Sequence, residues 1–282
     1  MYIEIVDTLK NSSFDIHAAE IISHGEVVMH EAFSPDVRYP VYSAAKSITS
    51  AAFSLCCDDG LLTPETVLAD KLDERCRKLM SEQFSQLPFE RFLTMTAGNY
   101  PFRPSGNDWL ENILSLEIDH SDSSFHYSNI PAYLVGVACE NAVGEPLGQF
   151  LERRLFAPLG IEKPGFSLSP EGHFYGATGM ELTVHELALF GQLYLGRGVF
   201  NGRRIISQGS VDMALTPRVE TGSGDSYGYF FRIASDHFSA VGKWGQRCMV
   251  FPEKELVVAY LADEPERSGE LYGFMLSLAD RL

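Results

Sequence analysis

Positive charge is scarce in this sequence: 22 lysines and arginines stand against 38 aspartates and glutamates, a formal net charge of −16. A surface so acidic repels nucleic acid and anionic membranes, so neither is an expected partner. Long apolar runs are missing too; none approaches the roughly 18 uncharged residues of a transmembrane helix. The opening stretch, MYIEIVDTLKNSSFD, mixes acids with apolar residues and has no basic segment ahead of a hydrophobic one. No secretory signal is read there, and a cytoplasmic location is expected. Cysteine is sparse: five residues, with Cys56 and Cys57 adjacent and no spacing of a disulfide framework or zinc site. They read as reduced, buried thiols. The eight histidines show no H-E-x-x-H or related spacing, so neither a metal nor another cofactor is expected. Internal repeats and low-complexity segments are absent as well.

What is present is a chain of 282 residues with 45% hydrophobic content, enough for a sizeable core in one large domain or two lobes. Around His24-Gly25 the pattern alternates, predicting an antiparallel hairpin of residues 17–22 with 26–33. After Pro40 a long helix is expected over about 43–58, closed by Gly60 and almost free of charge, as buried helices are. The chain then reads mainly helical to about residue 215, including RFLTMTAG with its glycine stop and the segments ending at Gly144 and Gly160. YGYFFRIA, HFSAVGKW and RCMVFPEKELVVAYLAD read as strands, the last turning at Pro252-Glu253, and GELYGFMLSLADRL as a closing helix. Strands at both ends predict an α/β (α+β) fold: one antiparallel sheet built from both termini and flanked by helices, with an inserted all-α lobe. The expected lobes are 1–49 with 215–282, and 50–214, forming one unit with its site in the cleft between them.

Ser43 and Lys46 are three residues apart at the start of the buried helix, so both side chains share a face. A serine hydroxyl becomes a strong nucleophile when a base takes its proton, and a desolvated lysine amine suits that task. An ordinary helix start reads the same way, and a chance S-x-x-K is expected roughly once in such a chain. Tyr127-Ser128-Asn129 is the sole Y-x-N in the sequence. Tyr127 is a candidate general base if nearby cations lower its pKa, and the Asn129 amide can orient substrate or an ammonium. Against this, Asn129 would serve equally as a helix N-cap and Tyr127 as a packed aromatic. Lys243-Trp244-Gly245 falls in a predicted strand, where the lysine would face the cleft and the glycine would let substrate approach the backbone. A rival K-x-G at Lys163-Pro164-Gly165 is marked as a loop by its proline.

S-x-x-K, then Y-x-N about 80 residues on, then K-x-G near the C-terminus, is the motif order of the serine β-lactamase and penicillin-binding protein superfamily. With tyrosine in the second motif, the chain resembles the class C branch and its esterase and D-aminopeptidase relatives. YSAAKSITSAAFSLCCDDGLL, RFLTMTAG, FHYSN, ATGMELTVHELALFGQLYLGRG and FPEKELVVAYLAD are similar to family segments in family order, so the likeness covers nearly the whole chain. The resemblance implies a β-lactamase-like fold with Ser43 as acylated nucleophile, Lys46 assisting its deprotonation and Tyr127 as general base. It leaves open which of those two takes the first proton. It implies that Asn129 orients substrate and Lys46, that Lys243 lowers the Tyr127 pKa and binds substrate, and that the backbone N–H groups of Ser43 and Gln246 form an oxyanion hole. Trp244 departs from the small hydroxyl residue usual in β-lactamases and implies a different or narrower acyl pocket. Tyr100 and Trp109 fall where relatives build a wall of the site, although surface packing is the commoner role for such aromatics. The expected function is a serine hydrolase acting on a small ester, amide or peptide. A class C-type β-lactamase or DD-peptidase, and a non-catalytic binding protein on the same fold, are the alternatives.

Overall fold

The computed structural model describes residues 2–282. Its centre is an eight-stranded antiparallel sheet. The strands are β1 (Ile16–Ser23), β2 (Glu26–Ala32), β3 (Val219–Glu220), β4 (Ser226–Tyr227), β5 (Arg232–Ile233), β6 (Phe238–Val241), β7 (Arg247–Phe251) and β8 (Leu256–Ala262). Their spatial order is β2-β1-β8-β7-β6-β5-β4-β3. The strand nearest the C-terminus therefore lies between the first strand and the rest, with Ile21 opposite Val258 on one side and Met249 opposite Val258 on the other.

All seven residues of β8 are buried, because both faces of the sheet are covered. Val257, Ala259 and Leu261 join the larger core, whereas Leu256, Val258, Tyr260 and Ala262 join a second core. Two terminal helices, α1 (Tyr2–Lys10) and α5 (Ser268–Ala279), supply Ile5, Leu9, Leu271 and Met275 to that second core. On the opposite face lie α2 (Ala45–Asp58), α3 (Ile130–Val143) and α4 (Val184–Leu195). α4 begins with a capping box between Thr183 and Glu186. Its Phe190 and Leu193 pack into the larger core.

The predicted hairpin forms as read, and α3 stops at Gly144 in the left-handed conformation. Two elements are shorter than the pattern suggests. The helix of RFLTMTAG ends at Leu93, well before its glycine, because Met95 adopts φ +60° and the Thr96 N–H turns back to the Arg91 carbonyl. YGYFFRIA is interrupted by Phe230 at φ +59°, which splits it into the short β4 and β5. Among the described residues no helix is long and apolar enough to cross a membrane. The five cysteines are unpaired, and all but the half-buried Cys57 are buried.

Candidate active site

The segment entering α2 is fixed before the helix begins. The short strand Tyr39–Pro40 pairs with Met180–Leu182, and the Val41 N–H donates to the Met180 carbonyl at 2.9 Å. Tyr42 then takes φ +46°, a conformation costing a bulky residue about 1–3 kcal/mol, and such strain collects where geometry is over-determined. Ser43 sits in the single 3₁₀ turn Tyr42–Ala44, and α2 proper begins at Ala45. The expected helix thus starts two residues late, yet Ser43 and Lys46 still meet.

Lys46 is only 1% exposed, inside a helix whose residues from Ala45 to Cys56 are all buried. Its ammonium makes three hydrogen bonds, to Ser43 Oγ at 3.1 Å, Asn129 Oδ1 at 2.7 Å and the Ala177 carbonyl at 2.9 Å. All three partners are neutral oxygens. Burial pushes the Lys46 pKa down, and the neighbouring Tyr127 hydroxyl works in the opposite direction. The amide and carbonyl oxygens only accept, so they hold two N–H groups. The remaining position on nitrogen, a proton or a lone pair, faces Ser43 Oγ.

Asn129 stands at the N-cap of α3 but its side chain caps nothing. The Ser128 hydroxyl takes the Ile130 N–H instead, which frees Asn129 to hold Lys46 and to donate through Nδ2 to the Tyr175 hydroxyl at 3.1 Å. The half-buried Tyr127 places its ring centroid 4.9 Å from Lys46 Nζ. Phe102, Phe125 and Tyr227 surround that ring at centroid separations of 6.4–6.5 Å.

Ser43 and Tyr127 open onto a cavity of about 350 Å³, whose wall also carries Lys243 and Gly245. Lys46 and Asn129 lie behind it; Trp244 and Gln246 are not part of the wall. The third motif departs from its predicted setting. Residues 243–245 form the turn of the β6–β7 hairpin rather than a strand, because the Gly242 N–H closes on the Gln246 carbonyl at 2.6 Å and Gly245 takes φ +95°. That glycine serves packing: a Cβ there would lie 2.8 Å from Leu271 of α5. Lys243 faces aromatic rings, 3.7 Å from the Trp244 centroid and 4.7 Å from that of Tyr42, so its charge is engaged by π faces. The indole packs against Tyr42 and does not line the cavity. Gln246 turns inward, its Nε2 on the Ala262 carbonyl and its Oε1 accepting the Trp244 N–H.

The strand preceding that turn lies beside the segment that carries Ser43. Gly242 approaches so closely that a Cβ would lie 2.6 Å from the Val41 carbonyl oxygen. Since Gly242 N–H points to β7 and main-chain groups alternate along a strand, the Val241 N–H points to the other side, away from β7. Val241, Ser239, Arg247 and Arg232 line the cavity and were not singled out in the sequence. Period-two alternation along β6 was the available signal for Ser239 and Val241. Of the two aromatics weighed after Gly98, Tyr100 is buried beside His120, while Trp109 packs on Tyr133 and Tyr175; neither lines the cavity.

Known proteins share this fold at low identity. A 6-aminohexanoate-dimer hydrolase of Paenarthrobacter ureafaciens is 20% identical over 285 residues, covering 88% of this chain and 73% of the relative. The structure of a candidate 6-aminohexanoate-dimer hydrolase from Bacillus anthracis superposes with a TM-score of 0.79 at 17% identity, covering 99% of this chain and 80% of that one. A β-lactamase/D-alanine carboxypeptidase from Pseudomonas syringae superposes with a TM-score of 0.72 at 13% identity, covering 93% and 92%. The Beta-lactamase family model matches residues 17–273. A match across that much of the chain makes it a member of the Beta-lactamase family, a family of hydrolases.

Proposed function

We propose that this chain is a serine hydrolase that cleaves small esters or amides through an acyl-enzyme on Ser43. The observation that carries the reading is the contact between Lys46 Nζ and Ser43 Oγ, made by an amine that is buried, has a lowered pKa and bonds only to neutral oxygens. In its neutral form that amine directs a lone pair at the serine proton. Ser43 Oγ attacks the substrate carbonyl and its proton passes to neutral Lys46. The Tyr127 hydroxyl then gives its own proton to the departing alcohol or amine as it takes one from Lys46, and the carbonyl–leaving-group bond breaks. Water reverses the relay: Tyr127 takes a proton from it while passing its own to Lys46, the hydroxide attacks the acyl carbon, the bond to Ser43 Oγ breaks, and Ser43 recovers its hydrogen from Lys46. Asn129 is a positioning residue that holds Lys46.

The Ser43 N–H and the Val241 N–H supply the oxyanion hole in this reading. The resemblance points to the Gln246 N–H as second donor; this reading takes Val241, because the β6–β7 register turns its N–H away from the hairpin. Loss of one such donor typically costs about 10²–10³ in rate. The amino-acid dimer in the name of the Paenarthrobacter relative supports amides among the substrates. Position 244 supplies no hydroxyl to the cavity, which supports esters and amides over β-lactams. A fluorophosphonate probe should label the native protein and not Ser43→Ala, and 4-nitrophenyl esters should be hydrolysed faster than nitrocefin. If neither probe nor ester reacts above the Ser43→Ala background, the chain is a binding protein on a hydrolase fold.

A further inference from the structure

A second cavity, of about 720 Å³, exceeds the one of about 350 Å³ onto which Ser43 opens. The two lie at opposite ends of β6: Phe238, its first residue, lines the second cavity, and Val241, its last, lines the first. Among the described residues none lines both. The second wall is assembled from the β1–β2 turn at His24-Gly25, the end of α4, the helix Gln208–Leu215 and the β7–β8 turn at residues 252–255.

This lining divides into an apolar body and a charged mouth. Phe200, Val211 and Phe238 are buried and Leu195, Val199 and Leu215 half-buried, so the recess is built from aliphatic and aromatic side chains. A cavity of this volume and lining suits a small organic molecule held by a few polar groups. The charged residues of the wall, His24, Arg197, Asp212, Glu253 and Glu255, are all exposed and stand at its opening. Most of them are already matched. Arg197 Nη2 lies 2.9 Å from Asp212 Oδ1, and His24 Nδ1 lies 2.6 Å from Glu255 Oε2. Lys254, the cation next to Glu253 in sequence, is turned away to the Ala279 carbonyl and Asp280. Among the described residues Glu253 is thus the charged group of this wall that no partner neutralises.

Three carboxylates against one arginine and one histidine make the mouth acidic, in a chain whose net charge of −16 also draws cations. An apolar recess below an unpaired carboxylate is complementary to the two halves of an amphipathic cation. We infer that this cavity is a second ligand site, apart from Ser43, that takes an organic ammonium ion, with its alkyl or aryl body among Leu195, Phe200, Leu215 and Phe238 and its charge on Glu253. The inference does not rest on the hydrolase reading.

The test is an NMR titration of the ¹⁵N-labelled full chain at pH 7 with 4-phenylbutylamine, protonated there, and with the uncharged 4-phenylbutan-1-ol. Both should move amide signals of residues 194–201, 211–215 and 252–255, and the amine should bind with a Kd of about 1 mM, as suits a ligand of this size. The amine should bind about three- to fivefold more tightly than the alcohol, the scale of one exposed ion pair. Glu253→Gln, a change at an exposed turn position, should remove that preference and leave alcohol binding as it was. Leu215→Trp, which fills the recess from a half-buried position, should abolish binding of both; should it fail to fold, the shift map and Glu253→Gln still decide. Equal affinity for amine and alcohol overturns the inference, as does a preference that survives Glu253→Gln. Shifts confined to the Ser43 cavity, or no shifts at all, overturn it as well.

Discussion

Asn129 Oδ1 lies 2.7 Å from Lys46 Nζ, joining residues 83 positions apart in a fully buried contact. Because Asn129 Nδ2 is occupied by the Tyr175 hydroxyl, the amide is held with its oxygen towards the amine. Asn129→Ala removes the acceptor that keeps Lys46 beside Ser43. The expected loss in kcat/KM is about 10- to 100-fold, the scale of a buried hydrogen bond to a charged group, and it should fall mainly on kcat. An unchanged kcat would mean that Asn129 contacts substrate only.

The protonation state of Lys46 gives the next test. With its pKa lowered by burial, the neutral amine is available below the ordinary lysine value, and kcat/KM should rise with pH along a limb that lies below about 10.4. Asn129→Asp places a carboxylate beside the amine, favours the ammonium, and should move that limb to higher pH. Lys46→Arg cannot deprotonate and should lower the rate by about 10²–10⁴ at every pH. A pH–rate profile of the three proteins checks all of this. An alkaline shift in Lys46→Arg with retained rate would assign the first proton to Tyr127 alone.

Gly242→Ala should separate geometry from chemistry. The added methyl would lie 2.6 Å from the Val41 carbonyl oxygen and force β6 away from the turn that carries Ser43. Overpacking of this kind costs about 1–3 kcal/mol, so the melting temperature should drop and kcat should fall with it. Full activity in a folded Gly242→Ala protein would place the oxyanion donors elsewhere than on β6.

A pH effect on stability is expected from the β2 edge of the sheet, on the face that α4 covers. Glu20 is completely buried in β1, with His30 Nδ1 at 2.6 Å and His185 Nδ1 at 2.8 Å, and His30 Nε2 lies 3.2 Å from Asp36. Burial opposes the charged form of His30, but its hydrogen bonds to Glu20 and Asp36 outweigh that and raise its pKa. A raised folded pKa contributes stability that is fully present below about pH 6.5 and is lost as pH rises through the folded value. His30→Gln should therefore flatten the stability curve over this window, as read by urea midpoints at a series of pH values. Parallel curves for the two proteins would exclude the contribution.

Much of this architecture is written in local patterns. The alternation around His24-Gly25, the unbroken apolar run of β8 and the left-handed glycine after α3 each determine an element through nearest neighbours. The pairing of Ser43, Lys46, Tyr127 and Asn129 was legible because three motifs in order carry it. What stayed hidden depended on backbone angles and distant partners. Nothing in KWG announces that Gly242 closes on Gln246 and turns those residues into a hairpin, or that positive φ at Met95 and Phe230 cuts two elements short. Arg247 and Tyr260 face each other across adjacent strands, a relation that exists only once the sheet register is known.

The position of β8 between β1 and β7 has a consequence for biosynthesis. β1 emerges from the ribosome some 240 residues before the strand it pairs with, so its inner edge has no partner until β8 has been made. Until then β1 and β2 are an open hairpin, prone to pair with other chains, and chaperone cover during translation would matter most for that segment. Ser43 is synthesised early, but β6, which borders it, follows nearly 200 residues later. On the serine hydrolase reading, a nascent chain carries its proposed nucleophile in an unassembled form, and hydrolytic competence waits on the synthesis of β6.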